Sequence, residues 1–266
     1  MKGLRRKIYQ SLLNYGFDAQ IFKSKIIRKN PMPDWFLEEF EELKRQRGED
    51  KSFEIGPLYP ILHERNEDAG VMSGHYFHQD LYVAQQIYKN NPEKHMDIGS
   101  RIDGFVAHVA AFRHIELLDI RPIKSTVKNI SFRQADLMQL PEDLIEYTGS
   151  ISSLHAIEHF GLGRYGDPID YQGHIKAIDN ISKMLKTQGL FYFSVPMGKQ
   201  RIEFNAHRVF SLEYLISLIS NQFIIQSFSY VDDDGNFHQN VDLKPDLVKS
   251  DAGCRYGCAI FTLIKK

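Results

Sequence analysis

From residue 94 onward, short apolar runs alternate with helical stretches, and few architectures accept that order. The runs are His95–Ile98, His114–Ile120, Ile130–Ala135, Ile151–His155, Leu190–Val195, Phe223–Val231 and Cys258–Ile264. Between them, Gly104–Phe112, Tyr171–Leu185 and Ser211–Ser220 space their apolar residues as helices do. Such alternation predicts an α/β domain built on a mostly parallel sheet of seven strands. The last two runs are separated only by Asp232-Asp233-Asp234-Gly235 and an irregular stretch. A parallel pair needs a crossover, so these two are expected to be antiparallel to each other. Upstream, Phe36–Leu43 and Asp80–Tyr88 read as helices. Residues 1–73 are expected to form a helical extension, and residues 74–266 the α/β domain.

Composition removes several classes. Among 266 residues, 33 are basic and 34 acidic, with 42% apolar. A disordered chain is less apolar and more highly charged. A dedicated nucleic-acid binder carries a basic surplus, so no nucleic-acid partner is expected. No apolar run reaches the roughly 18 residues that a membrane span needs. The only cysteines, Cys254 and Cys258, do not make a disulfide scaffold and are expected as buried free thiols. The start, Met1 to Lys7, is basic like a signal sequence, but Tyr9-Gln10-Ser11 and Asn14-Tyr15-Gly16 interrupt the apolar stretch that should follow. A cytoplasmic location is expected. Residues 1–30 carry eight basic side chains against one acid. Such a stretch suits an anionic membrane surface or partner. The favoured expectation is a solvated helix whose Leu4, Ile8 and Leu12 pack on the body or on a second copy of the chain, as in a homodimer.

In an open α/β sheet, ligands bind beyond the carboxyl ends of the strands. The first strand leads into Asp97-Ile98-Gly99-Ser100-Arg101-Ile102-Asp103-Gly104. Gly99 permits a tight turn against a ligand. Asp97 is placed to hold an ammonium group or to fix the loop. The second strand ends at Asp119-Ile120, and Asp119 lies 22 positions after Asp97. An acid about 20 residues on accepts hydrogen bonds from ribose hydroxyls. The third ends at Ala135-Asp136-Leu137, where the Asp136 carboxylate suits an exocyclic amine and the Leu137 N–H a ring nitrogen. The fourth ends at Leu154-His155-Ala156-Ile157-Glu158-His159.

In this order the motifs resemble those of the class I S-adenosylmethionine-dependent methyltransferases, over roughly residues 75–266. Asp97-Ile98-Gly99 looks like the first motif, Asp119 like the ribose-binding acid, Ala135-Asp136-Leu137 like the adenine segment and Leu154–His159 like the motif after the fourth strand. Gly189–Pro196 is similar to the fifth strand, and Cys258–Lys266 to the inserted antiparallel strand. Gly99–Phe105 and Glu203–Arg208 are more narrowly similar to small bacterial proteins linked with surface-polysaccharide synthesis. The first motif departs from the family in carrying Arg101 and Asp103 where glycines are usual. The resemblance implies a Rossmann-like fold and S-adenosylmethionine as cofactor, contacted by Asp97, Gly99, Ser100, Arg101, Asp119, Ile120, Asp136, Leu137 and His155. Tyr76 and Gln79, in Gly74–Gln79 before the first strand, are expected in a lid over its amino-acid end.

The acceptor is expected to be a small polar molecule: a sugar, nucleotide-sugar or phosphorylated metabolite. His159 is the first choice for general base and His207 the second, with Glu158 orienting the base or binding the cofactor. Arg164, Lys199, Asn205 and Arg208 are the expected acceptor-binding side chains, the cations clamping a phosphate or carboxylate. Histidines and aromatics near residues 75–78 and 204–210 suggest a sugar-stacking wall. A nicotinamide dehydrogenase shares the sheet and the ribose acid, but Asp103 would repel its pyrophosphate. A degenerate module that binds without catalysis also accommodates the altered first motif. His155 to His159 fits H-x-x-E-H, a zinc-peptidase pattern that belongs on a helix. Here it follows a strand and meets Gly161-Leu162-Gly163, so no metal is expected.

Overall fold

The computed structural model describes residues 32–266. The basic N-terminal stretch, with Leu4, Ile8 and Leu12, lies outside the described residues. The chain divides into two compact units, the second spanning Val71–Lys266. In the first, helix α1 (Asp34–Arg47) contains the expected Phe36–Leu43 segment. Arg65 braces α1 by bonding Glu39 at 2.7 Å and stacking on Trp35.

The second unit is a three-layer α/β fold. Its strands are β1 (Met96–Ile98), β2 (Ile115–Asp119), β3 (Ile130–Gln134), β4 (Thr148–Leu154), β5 (Leu185–Met197), β6 (Arg201–Glu203), β7 (His207–Val209), β8 (Phe223–Val231), β9 (Phe237–His238) and β10 (Gly257–Lys265). Its helices are α2 (His75–Asn90), α3 (Ala107–Ala110), α4 (Gly173–Met184), α5 (Leu212–Ser220) and α6 (Pro245–Lys249). Eight strands form one sheet in the order β3-β2-β1-β4-β5-β10-β8-β9. β10 runs antiparallel between β5 and β8, as the missing crossover requires. The eighth strand, β9, is a two-residue edge that the sequence pattern did not signal.

Alternation along β5 explains the layering. Phe191, Phe193, Val195 and Met197 point into one core with Phe228 and Phe261, beneath α4 and α5. Tyr192 points into the other, with Ile260 and Cys258, beneath α2 and α3. Each helix presents one apolar stripe to its core. On α4 that stripe is Ala177, Ile178, Ile181 and Met184, and on α2 it is Tyr82, Val83 and Ile87.

β6 and β7 form a separate two-stranded ribbon over the segment 199–210, which the sequence presents as a loop. Among the described residues, no helix is long and apolar enough to cross a membrane.

Candidate active site

The register of the parallel strands sets the site. Ile98 pairs with Leu118, and Asp119 with Gln134, so the turns after β1, β2 and β3 leave the sheet side by side. Gly99 turns the chain at φ 68°, and a Cβ there would press on Ala156 after β4. The first and fourth loops therefore pack closely at a residue that has no side chain and whose positive φ suits glycine.

Two cavities meet on this rim. The first is mostly apolar and includes Ile98, Ile120, Ala135, Asp136, Leu137 and Phe160 among its walls. The second is larger, about 620 Å³, and polar, with Tyr76, Arg101, Glu158, Arg164, His207 and Tyr256 around it. That volume lies in the range of small-molecule sites. Gly99, Asp119, Arg121, His159 and Tyr165 border both.

The three rim acids have different surroundings. Asp97 is fully buried and borders neither cavity. It accepts from the Ser100 N–H at 3.0 Å, from the Ser100 hydroxyl at 2.6 Å and from Ser152. Burial pushes its carboxyl up to about 7, against those donors. These bonds tie the first loop to β4, and the carboxylate lies away from both cavities, where a ligand ammonium was expected. Ser100 passes the restraint on, because its Oγ accepts the Leu154 N–H at 2.9 Å. Asp119 carries a bidentate partner: the Arg121 guanidinium donates to it at 3.0 and 2.6 Å and lies over Tyr165. Asp136 accepts the Met138 N–H at 2.9 Å.

After β4, His155 adopts φ 50°, a left-handed conformation uncommon outside glycine. Its Nδ1 lies 2.8 Å from Glu158 Oε1. Burial opposes the ionisation of both, yet Cys258 and then Glu158 push the His155 imidazole well above its ordinary range, and His155 holds the Glu158 carboxyl below its own. Glu158 is 3.8 Å from His159 Nε2, so it orients His155 rather than the expected base. The ring of His159 is held instead by the Ala206 carbonyl, 2.6 Å from Nδ1. An Nδ1–H donating there leaves Nε2 with a free lone pair. Burial pushes the His159 imidazole below its ordinary range despite Glu158. His207 lies nearby, with ring centroids 6.5 Å apart, and sits 3.3 Å from Glu203.

Four expected contacts lie elsewhere. Gln79 is buried and accepts from the Ser194 hydroxyl at 2.6 Å, tying α2 to β5. Lys199 and Asn205 are exposed at the ends of the ribbon and border neither cavity. Arg208 is 4% exposed, and its guanidinium donates to the carbonyls of Phe160 at 2.6 Å and Tyr171 at 3.1 Å. It clamps the ribbon to the segment after β4 and borders neither of the two cavities where the acceptor was expected. Long basic side chains usually mark a solvated loop, and only the fold supplies the carbonyls that bury this one. Tyr165, Tyr256, Arg121 and the Ala206 carbonyl are site groups that sequence reasoning missed; the last has no side-chain signal at all.

The chain, compared as a whole, is similar to known proteins. A family model described as "Caenorhabditis protein of unknown function, DUF268" matches residues 109–256. The chain belongs to this DUF268 family. No curated protein matches it. Among solved structures, the chain is similar to the Burkholderia thailandensis 1,6-didemethyltoxoflavin-N1-methyltransferase with bound 1,6-didemethyltoxoflavin and S-adenosylhomocysteine. The two are 10% identical, with 91% of this chain and 93% of that chain covered, at a TM-score of 0.51. It is also similar to a Galdieria sulphuraria protein named for sarcosine dimethylglycine methyltransferase activity, at 13% identity, 70% and 85% coverage and a TM-score of 0.50. At these identities the likeness is one of fold. This DUF268 chain has the Rossmann-like fold of class I methyltransferases.

Replacing Arg208 tests its structural assignment. Arg208→Ala leaves several buried carbonyls unpaired and is expected to lower unfolding stability by on the order of 3 kcal/mol. Arg208→Lys recovers only part, because an ammonium cannot span two carbonyl groups as a planar fork does. Urea denaturation of both variants measures this; unchanged midpoints contradict the clamp.

Proposed function

We propose that this DUF268 protein is an S-adenosylmethionine-dependent methyltransferase acting on a small polar acceptor. One observation carries the proposal. An apolar slot edged by Asp119, Asp136 and Leu137 opens into a polar cavity edged by His159, His207 and Arg164. The first suits an adenosine and the second an acceptor. In support, the Burkholderia thailandensis relative by fold contains S-adenosylhomocysteine.

The residues fit the cofactor. Ile120, Leu137 and Phe160 would flank the adenine, and Asp136 would accept from its amine. Asp119 would take the ribose hydroxyls once Arg121 releases it. Backbone at Gly99–Arg101 and the Tyr76 ring would hold the amino-acid end. When bound, S-adenosylmethionine supplies an electrophilic methyl group on a sulfonium. The protein's task is then to position the acceptor and exclude water. His159 Nε2 takes the acceptor's proton, and the Ala206 carbonyl stabilises the imidazolium through Nδ1–H. Arg164 forms no ion pair among the described residues and would attract an anionic group. With Tyr76, Tyr165 and Tyr256 at hand for stacking, a sugar, nucleotide-sugar or phosphorylated metabolite is the acceptor class we favour.

Calorimetry is expected to give micromolar affinity for S-adenosylmethionine, about -8 kcal/mol. Asp119→Ala should weaken it about ten- to a hundredfold, the equivalent of roughly 1.5–3 kcal/mol for a charged acceptor. Tight NAD binding with none for S-adenosylmethionine, or full affinity in the folded variant, overturns the assignment.

The base has its own signature. His159→Ala should lower kcat by about a hundredfold or more, with cofactor affinity retained. Burial lowers the His159 pKa, so activity should rise with pH through a limb below the ordinary histidine range and then level off. A limb at or above that range, or full turnover in His159→Ala, moves the base elsewhere.

A further inference from the structure

Beside the site, three side chains from distant parts of the chain converge. His75 starts α2, His155 follows β4 and Cys258 lies at the start of β10. One potential ligand atom from each lies within 4.8 Å of the others. The two imidazoles stack nearly parallel, 5.3 Å between centroids. Cys258 is fully buried, and the His155 side chain is only 5% exposed.

The polar atoms of this cluster are incompletely used. Glu158 engages Nδ1 of His155, while Nε2 is buried without a hydrogen-bond partner and the Cys258 sulfur lies beside the ring. The other Glu158 oxygen, Oε2, is also buried and unpartnered. A buried, unpaired ring nitrogen is costly unless something coordinates it. A carboxylate on the far nitrogen of an imidazole is the arrangement that orients a metal-binding histidine. Two imidazoles and a thiolate make a donor set for zinc-type cations, and three protein ligands leave a fourth position open. Zinc bonds of about 2.1 Å to nitrogen and 2.3 Å to sulfur put ligand atoms roughly 3.5 Å apart. The three side chains must close in by about an ångström, and one of the stacked imidazoles must turn its ring plane toward the ion.

We propose that His75, His155 and Cys258 form a binding site for a zinc-type divalent cation, with Glu158 orienting His155. His155 also borders the polar cavity, as does Tyr256. The H-x-x-E-H pattern is thus not the ligand set. His159 is held by Ala206, and His155 finds its partners 80 residues upstream and 103 downstream. Cys254 is not a ligand either, since its side chain packs in the opposite core. The proposal is independent of methyl transfer.

The test is metal reconstitution of the full chain after chelation. Zinc should return in stoichiometric amount. Cobalt should give tetrahedral ligand-field bands and a thiolate-to-cobalt charge-transfer band in the near ultraviolet. Cys258→Ser should abolish the charge-transfer band, and Cys254→Ser should leave it intact. His75→Ala, at the partly exposed start of a helix, should weaken zinc by about a hundredfold or more, and Glu158→Gln by about ten- to a hundredfold. Circular dichroism checks folding of each variant. The wild-type spectrum and His75→Ala decide the matter if Cys258→Ser does not fold. Absence of stoichiometric uptake by the wild-type chain, a cobalt spectrum without the thiolate band, or a band lost in Cys254→Ser overturns the proposal.

Discussion

Neighbouring strands β3, β2, β1 and β4 run parallel, and everything else at the site depends on that direction. Parallel pairing sends every strand-to-helix turn out of the same edge. The edge then collects whatever residues follow the strands: Gly99, Asp119, Asp136 and His155. Ladder register fixes their spacing along the edge to within a residue, because a one-residue slip would turn each side chain to the other face. Burial on both faces by two helical layers makes such a slip prohibitive.

A second set of contacts converts this edge into a site with defined walls. Asp97 and Ser100 hold the first loop to β4, and Arg208 holds the β6–β7 ribbon to the segment after β4. The ribbon carries Ala206, whose carbonyl sets the His159 ring. Removal of the Arg208 guanidinium would therefore reach His159 without touching it. Charges around the polar cavity are mostly paired internally, as in Glu158 with His155 and Asp119 with Arg121. A ligand that needs Asp119 must compete with Arg121, an exposed guanidinium whose hold is weakened by solvent.

Much of the fold was legible because strand and helix periodicities are local. Each apolar run appears as a strand, and the missing crossover before Cys258 correctly marks the antiparallel order. The ribbon escaped notice because Arg201–Glu203 and His207–Val209 are too short and polar to show alternation. At the site, the positions following the strands could be found, since topology alone puts them on the rim. Partners could not. Arg208 reads as an acceptor clamp until the fold surrounds it with carbonyls, and Glu158 stands next to His159 in sequence yet bonds His155. Gln79 and Asp97 look like ligand contacts, but their bonds are to Ser194, Ser100 and Ser152. The gathering of His75, His155 and Cys258 spans most of the second unit, and no spacing rule covers such a distance.

The central claim is that the apolar slot beside Asp119 holds an adenosine. A crystal structure of the chain with S-adenosylhomocysteine measures this most directly. The account predicts adenine between Ile120 and Leu137, both ribose hydroxyls on the Asp119 carboxylate, and the Arg121 guanidinium displaced from it. A ligand bound elsewhere, or an Asp119–Arg121 pair left intact with the slot filled by protein side chains, would contradict it.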